Sequence, residues 1–560
     1  MKSTFRYDHY WKYEELSENL KALAEKYSVL CTLYSLAKTP EGRDIWCAEV
    51  TDPETGSCAE KPAYYVDGST HAGEVTGSMS AAYFLDYLLT NSESSDEVKK
   101  LLKEYAFYFI PRISPDGVEY YLTTPNRVRS VNRPYPYEQE LDGLHAADMD
   151  GDGCIRSMRV RSPYGLWKIS PRDPRLMVHR RPDETEGEFY NVYTEGEISG
   201  FDGVHVSEAP SPYGNDFNRN YPIAWGPEST QKGAGLYPLS NIETKAVADF
   251  IIAHKNIGSV ITFHTSGGIF LYPPGFIPSK KAFPEDMAQY HAMGKIATEE
   301  TGYPVVNLFD EYTPEGEDIS SGAMDDWCHF DRGIPAFTIE CWDAAVRAGI
   351  PHVWPMPSSV SEEEQEEQME KLVNWSDREL DGEGFKPWTP GVHPQLGEVE
   401  YGGFDYKYVF QNCPPKFLLQ EVEKHTRYML RAVKLLPKLA IDRVSIKQLA
   451  EGLFRIEAVV GNRGYLSTSL TKEAVKLGVD VLVTVSINTP DIDGQTSRKI
   501  GHLDGRAAVD SWFSTYGMSQ ALSNQQKSVS FTVSAPAGTP VTITACCPSG
   551  GTVSVTKELL

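Results

Sequence analysis

Along the first 440 residues, apolar positions alternate between two periods. Apolar residues at helical spacing, from Leu16 through Leu20 and Leu23, predict a helix over 12–26. Ala63–Val66 then reads as a buried strand, Thr76–Leu89 as a helix and Tyr105–Ile110 as a second strand. Ser240-Asn-Ile-Glu243 fits a capping box opening a helix towards His254, and Ile257–Phe263 and Ala336–Ile339 are further short apolar strands. Strands separated by helices predict an α/β fold, a largely parallel or mixed central sheet flanked by helices. A strong amphipathic pattern over Lys416–Leu436 predicts a helix that stops at Pro437.

Beyond Pro437 the texture changes. Leu453–Val460, Val481–Ile487, Val529–Val533, Val541–Ala545 and Thr552–Val555 read as short strands between turn residues, the pattern of an all-β sandwich. The expected organisation is therefore an α/β domain over 1–440 and a sandwich over 441–560. Two stretches of the first domain look inserted. Residues 134–213 are rich in Asp, Gly, Pro and Arg with little periodicity, and 345–412 combine an acidic run, Glu362–Glu367, with Pro- and Gly-rich loops. No internal repeat is visible.

Composition narrows the function classes. A formal charge of −25 over 560 residues argues against a nucleic-acid partner, which needs a basic surface. No apolar run approaches a membrane span, so no membrane partner is expected, and no signal peptide is visible. The nine cysteines are scattered without a Cys-x-x-Cys, which indicates neither a disulfide framework nor a thiolate zinc site. A cytoplasmic location is expected, or secretion where a leader precedes this sequence.

A water-activating zinc site needs three protein ligands, an open fourth position and a carboxylate base. His71-Ala-Gly-Glu74 offers two ligands from one turn after a strand. A second such pair, His205-Val-Ser-Glu208, has no strand leading into it and reads as chance. His264 follows the strand Ile257–Phe263, and Glu340 ends Ala336–Ile339. All three segments lie at the carboxyl ends of strands, where open α/β sheets gather functional groups.

With these motifs in order, the chain resembles the zinc carboxypeptidases of the carboxypeptidase A family. The matches are His71-x-x-Glu74, Ser114-Pro-Asp-Gly117, Gly214-Asn-Asp-Phe-Asn-Arg-Asn220, His264, Asp326-Trp327 and Phe337-Thr-Ile-Glu340. The resemblance spans roughly residues 10–436 without the insertions. It implies one Zn2+ held by His71, Glu74 and His264, with Asp216 orienting His71. It implies Glu340 as general base, Asn218 and Arg219 as the clamp on a substrate carboxylate, and Arg129 stabilising the oxyanion, with Arg127 or Arg133 as alternatives. The implied activity is hydrolysis of the C-terminal peptide bond of peptides with a free carboxyl end. Peptidoglycan stem peptides are the alternative substrate, and a peptide-binding protein without catalysis a further reading.

Some positions depart from the pattern. The family's mobile tyrosine would fall on Asp318, with Tyr312 in the same loop as a substitute. Asp325, just before Asp326-Trp327, occupies a side-chain-pocket position and would favour basic C-terminal residues. Otherwise it turns away to cap the following segment or pairs with an arginine. Asp148-Met-Asp150-Gly-Asp152-Gly153 resembles half of a calcium loop, but position twelve is Arg159, so a Ca2+ site and a solvated Asp-Gly turn stand side by side.

Overall fold

A computed structural model describes residues 1–312, 320–355, 360–509 and 524–560; Asp318 lies outside them. Among these residues the central sheet has eight strands in the order Cys31–Lys38, Asp44–Val50, Ala106–Ile110, Ala63–Gly68, Ile257–Thr265, Ala336–Cys341, Ile269–Tyr272 and Val305–Asn307. The four middle strands run parallel and are almost wholly buried. That is why they read as continuous apolar runs instead of alternating ones. Alternate residues nevertheless feed different cores. Tyr64, Val66, Ile261 and Phe263 pack with helices Val75–Thr90 and Pro415–Ala432, whereas Ala63, Tyr65 and Val260 pack with helix Ile242–Ala253.

Helix Ile242–Ala253 forms where expected, but its start differs. Asn241 occupies the N-cap position, without a side-chain cap bond. Glu243 instead receives Arg133 in a buried ion pair at 2.7 Å, which draws its carboxylate away from the backbone.

The two inserted stretches are not loops. Six of their strands join into one antiparallel sheet in the order Phe385–His393, Gly397–Phe404, Ser157–Arg161, Tyr190–Thr194, Trp167–Ile169 and Met177–His179, and Gly143–Ala146 pairs separately with Gly196–Ser199. The acidic run opens a helix, Glu362–Glu379. Ser361 caps the Glu364 amide, and the first-turn glutamates face the positive end of the helix dipole.

The sandwich packs Leu439–Ala450, Leu453–Asn462 and Gln526–Ser534 against Ser497–Gly501, Val483–Ile487, Pro540–Cys547 and Gly551–Glu558. It docks on the catalytic domain through the short helix Lys472–Leu477. The buried Asp286 accepts the Lys472 and Glu473 amides at 2.7 and 3.1 Å, and the Thr471 hydroxyl donates to the Gly333 carbonyl at 2.8 Å. Among the described residues no helix is long and apolar enough to cross a membrane.

Candidate metal centre and active site

Three strand ends converge. Leaving strand Ala63–Gly68, the chain turns through Ser69, whose φ of 51° is costly for a side chain. The turn is held from below: Ser114 donates to the Ser69 carbonyl from its amide at 3.1 Å and its hydroxyl at 2.6 Å. The loop carrying Arg129 is tied to the same turn, because the Ala72 amide donates to the Arg129 carbonyl at 2.8 Å. A Cβ on Gly117 would fall 2.3 Å from the Ser130 carbonyl, so only glycine lets that loop approach. Gly77 allows a similar approach within the first turn of helix Val75–Thr90, where a Cβ would lie 2.7 Å from the Phe263 carbonyl. The helix that begins behind Glu74 thus rests backbone-to-backbone on the strand that carries His264. In the next strand Glu340 stands directly opposite His264 in parallel register.

This scaffold brings His71, Glu74 and His264 together. Their ligand atoms lie within 4.8 Å of one another, and all three residues are buried. His71 Nδ1 is 2.8 Å from Glu74 Oε1, His264 Nδ1 is 2.9 Å from Glu74 Oε2, and the two Nδ1 atoms are 3.1 Å apart. Ligands at about 2.0–2.1 Å from a tetrahedral zinc stand about 3.4 Å apart, so these donors need only small adjustments. Each ring's far nitrogen has a partner: His71 Nε2 meets Asp216 Oδ1 at 3.0 Å, and His264 Nε2 meets the Thr262 hydroxyl at 3.4 Å. Such outer partners fix which nitrogen faces the ion. Two nitrogens and a carboxylate, oriented from behind, fit Zn2+.

The electrostatics agree. Burial works against the charges of Glu74 and Asp216. The neighbouring imidazoles of His71 and His264 nevertheless hold the Glu74 carboxyl well below the usual range, and Arg129, with His71 and Arg219, does the same for Asp216. Glu340 moves the other way. Burial, reinforced by the negative charge of Glu74, pushes its carboxyl up to about 8. Its Oε2 is buried with no hydrogen-bond partner among the described residues.

The chain matches the zinc carboxypeptidase family over residues 16–371. It belongs to that family. Its members are metallocarboxypeptidases, hydrolases that use one Zn2+. Carboxypeptidase O of Bos taurus is 24% identical over 351 residues, 61% of this chain and 72% of that protein. Carboxypeptidase B of Astacus astacus is 22% identical over 339 residues, 60% of this chain and 86% of that protein. A solved structure of thrombin-activatable fibrinolysis inhibitor covers 77% of this chain at 16% identity with a TM-score of 0.43. Residues 438–558 match a separate domain of unknown function.

Around the metallocarboxypeptidase centre the other expected residues take up different positions. Of the three candidate arginines, Arg129 faces the cluster, with Nε 3.0 Å from Asp216 Oδ2 and a terminal nitrogen 3.2 Å from Glu74 Oε1. Arg127 instead lies over the Tyr406 ring at 4.6 Å, and Arg133 is held by Glu243. Asn218 and Arg219 share a 3-10 turn, Phe217–Arg219, that begins beside Asp216. Asn218 Oδ1 accepts the Met324 amide at 2.9 Å. Arg219 reaches the Asn218 carbonyl at 2.8 Å and makes no ion pair among the described residues. Tyr312 stacks on Trp354 with ring centroids 5.5 Å apart. Burial raises its hydroxyl, as does the charge of Glu340, while Arg129 and Arg219 pull it down.

The remaining expected positions take these places. Asp325 is buried, and its oxygens accept the Asp326 amide at 2.9 Å and the Thr338 hydroxyl at 2.8 Å. Both its oxygens are thus engaged inside the protein, not as a helix cap, since Ala323 is the N-cap of helix Met324–Phe330, and the basic-specificity reading is set aside. In the Asp-rich loop, Asp152 is claimed by Lys386 at 2.7 Å and by Arg156; Glu195 takes its place beside Asp148 and Asp150. Lys386 also reaches Asp150 at 2.6 Å, while Asp148, Asp150 and Glu195 present ligand oxygens within 4.8 Å of one another. His205 is exposed and paired with Asp202, apart from the cluster.

Sequence reasoning missed the residues behind the ligands. Thr262 was legible in principle, since it lies two residues before His264 on the same strand face. Asn412 was not: its Nδ2 donates to the Gly73 carbonyl at 2.7 Å and its Oδ1 accepts the Thr76 amide at 3.0 Å, from more than 300 residues away in sequence.

Proposed function

We propose that this chain removes residues from the free carboxyl end of peptides, with His71, Glu74 and His264 holding one zinc ion. The observation that carries the reading is the convergence of those three donors beside an unpartnered Glu340 oxygen and an arginine, Arg219, that makes no ion pair among the described residues. When bound, the zinc supplies a Lewis acid that polarises the scissile carbonyl and makes a water easier to deprotonate.

The protein's own groups do the rest. Glu340 accepts the proton of the attacking water and returns it to the leaving amine. Its Oε2, buried and without a hydrogen-bond partner among the described residues, is the oxygen that takes and returns that proton. Arg129 faces the negative charge that develops on the carbonyl oxygen, and its bonds to Glu74 and Asp216 hold the guanidinium in that position beforehand. Arg219, with Asn218, receives the substrate's terminal carboxylate, for which a planar guanidinium offers a bidentate match. Asp216 keeps the imidazole of His71 turned so that Nδ1 faces the ion.

The test compares matched peptides ending in a free acid and in an amide. Amidation leaves Arg219 facing a neutral group, and losing one partner of such a pair costs about 2–5 kcal/mol in kcat/KM. Arg219 is partly exposed, which places the expected loss at the lower end. Equal rates on acid and amide would refute the carboxylate clamp and make the enzyme an endopeptidase.

A further inference from the structure

The two inserted stretches enclose a cavity of about 340 Å³ that the catalytic centre does not use. Aromatic side chains, Trp167, Trp388, Phe404, Tyr406 and Phe410 among them, share its walls with aliphatic and methionine side chains. Three arginines also line it. Arg175 is neutralised by Asp173 and Asp377, and Arg156 by Asp152. Arg127 differs: it is exposed, it lies on the Tyr406 ring at 4.6 Å, and no carboxylate pairs with it among the described residues.

None of the metal-binding or catalytic side chains lines this cavity, but two stretches of chain tie it to the active site. Arg127 stands two residues before Arg129, which bonds Glu74 and Asp216. Arg127 and Thr194 also line a second cavity of about 330 Å³, whose wall includes Tyr213, three residues before Asp216. On the other side, the helical turn Tyr406–Gln411 puts Tyr406 and Phe410 into the aromatic wall. Its far end joins Asn412, which holds the carbonyl of Gly73 inside the metal-binding turn.

We propose that the aromatic cavity is a subsite for the segment of a peptide substrate upstream of the scissile bond, recognising a large apolar side chain next to an acidic one. This rests on the carboxypeptidase reading above. The apolar group would fill the space between Trp388 and Phe404, and the acidic group would meet Arg127. Large aromatics and arginine are the residue types that concentrate binding energy at recognition sites. Stacking on Tyr406 holds the guanidinium in place without neutralising it, so its charge remains available to a ligand.

The experiment uses the zinc-loaded full chain and two substrate sets with the same C-terminal residue. One set is an N-acylated dipeptide, too short to leave the catalytic centre. The other is a series of octapeptides carrying a Glu-Phe pair at successive upstream positions, each matched to a peptide with Ser-Ser there. At one position of the pair, kcat/KM should exceed the Ser-Ser control by at least about tenfold, mainly through KM. Arg127→Met and Trp388→Ala should each remove most of that advantage while leaving the dipeptide rate unchanged. Arg127 is exposed, so its variant tests the idea even if Trp388→Ala disturbs the inserted sheet. A Glu-Phe series with no preferred position would overturn the subsite, as would an advantage that survives in Arg127→Met. A dipeptide rate that fell in Arg127→Met would overturn it differently, by placing Arg127 at the reacting carbonyl. Failure of the carboxypeptidase reading would look different again, with the wild-type enzyme leaving both substrate sets uncleaved.

Discussion

Gly77→Ala should weaken zinc binding although Gly77 touches no ligand. In an exposed helix the exchange would be favourable by about 0.8–1.0 kcal/mol, since alanine is the better helix former. Here the added Cβ would sit 2.7 Å from the Phe263 carbonyl oxygen and 2.9 Å from the Phe263 Cβ. Helix and strand must separate by at least about 0.5 Å to restore van der Waals contact. Overpacking of this kind costs about 1–3 kcal/mol, which outweighs the gain in propensity. The separation also acts on the metal site. Glu74 opens the moving helix while His264 ends the stationary strand, and they meet at 2.9 Å. Each donor must settle within about 0.2 Å of its place on the ion, and a helix held off the strand loses the backbone contact that sets Glu74 against both imidazoles, so chelator competition should show zinc affinity reduced by about tenfold or more. Thermal unfolding of the zinc-free protein should shift down by about 1–2 °C. A variant that bound zinc as tightly as wild type and unfolded at the same temperature or higher would refute the packing argument.

Further outcomes follow from the same geometry. His71→Ala should lose both zinc and activity and His205→Ala neither, which metal analysis of the dialysed proteins would check. Glu340→Gln should keep zinc but lower kcat by at least about 10²-fold, because its proton transfer belongs to the transition state; a loss under tenfold would assign the base elsewhere. At the domain junction, burial pushes the Asp286 carboxyl up to about 6, above the unfolded-chain value near 3.8. The folded state therefore holds the extra proton between these values, and stability falls as pH rises through about 4–6 and then levels off. Asp286→Asn should make that slope shallower by up to about 1.4 kcal/mol per pH unit in urea unfolding, and an unchanged slope would discount Asp286.

The metal centre was readable because its chemistry coincides with the strongest patterns in the chain. Parallel strands buried on both faces leave uninterrupted apolar runs, and a His or Glu at the end of such a run stands out against them. His264 and Glu340 are each marked in this way, and the register then places them side by side. Asp325 shows the limit of the method. Its position in the motif was clear, but whether its carboxylate faces a pocket or bonds Thr338 depends on a strand thirteen residues on, which no local pattern records.

The inserted sheet was illegible for a different reason. Trp167–Ile169 and Met177–His179 are three residues long and Ser157–Arg161 only five, too short to establish a period. Ser157–Arg161 pairs with Gly397–Phe404, so neither insertion predicts the sheet alone. Lys386 makes the same point electrostatically. The loop Asp148–Asp152 reads as a cation site because sequence displays its carboxylates together, while the ammonium that meets Asp150 and Asp152 is supplied from the other insertion. Oxygen-rich loops are ambiguous in sequence for this reason: the acids that hold a metal and the acids that hold a distant lysine are the same residues at the same spacing. The zinc centre escapes the ambiguity, since an imidazole pair with a buried carboxylate between them has no cationic side chain that could take the ion's place at all three donors.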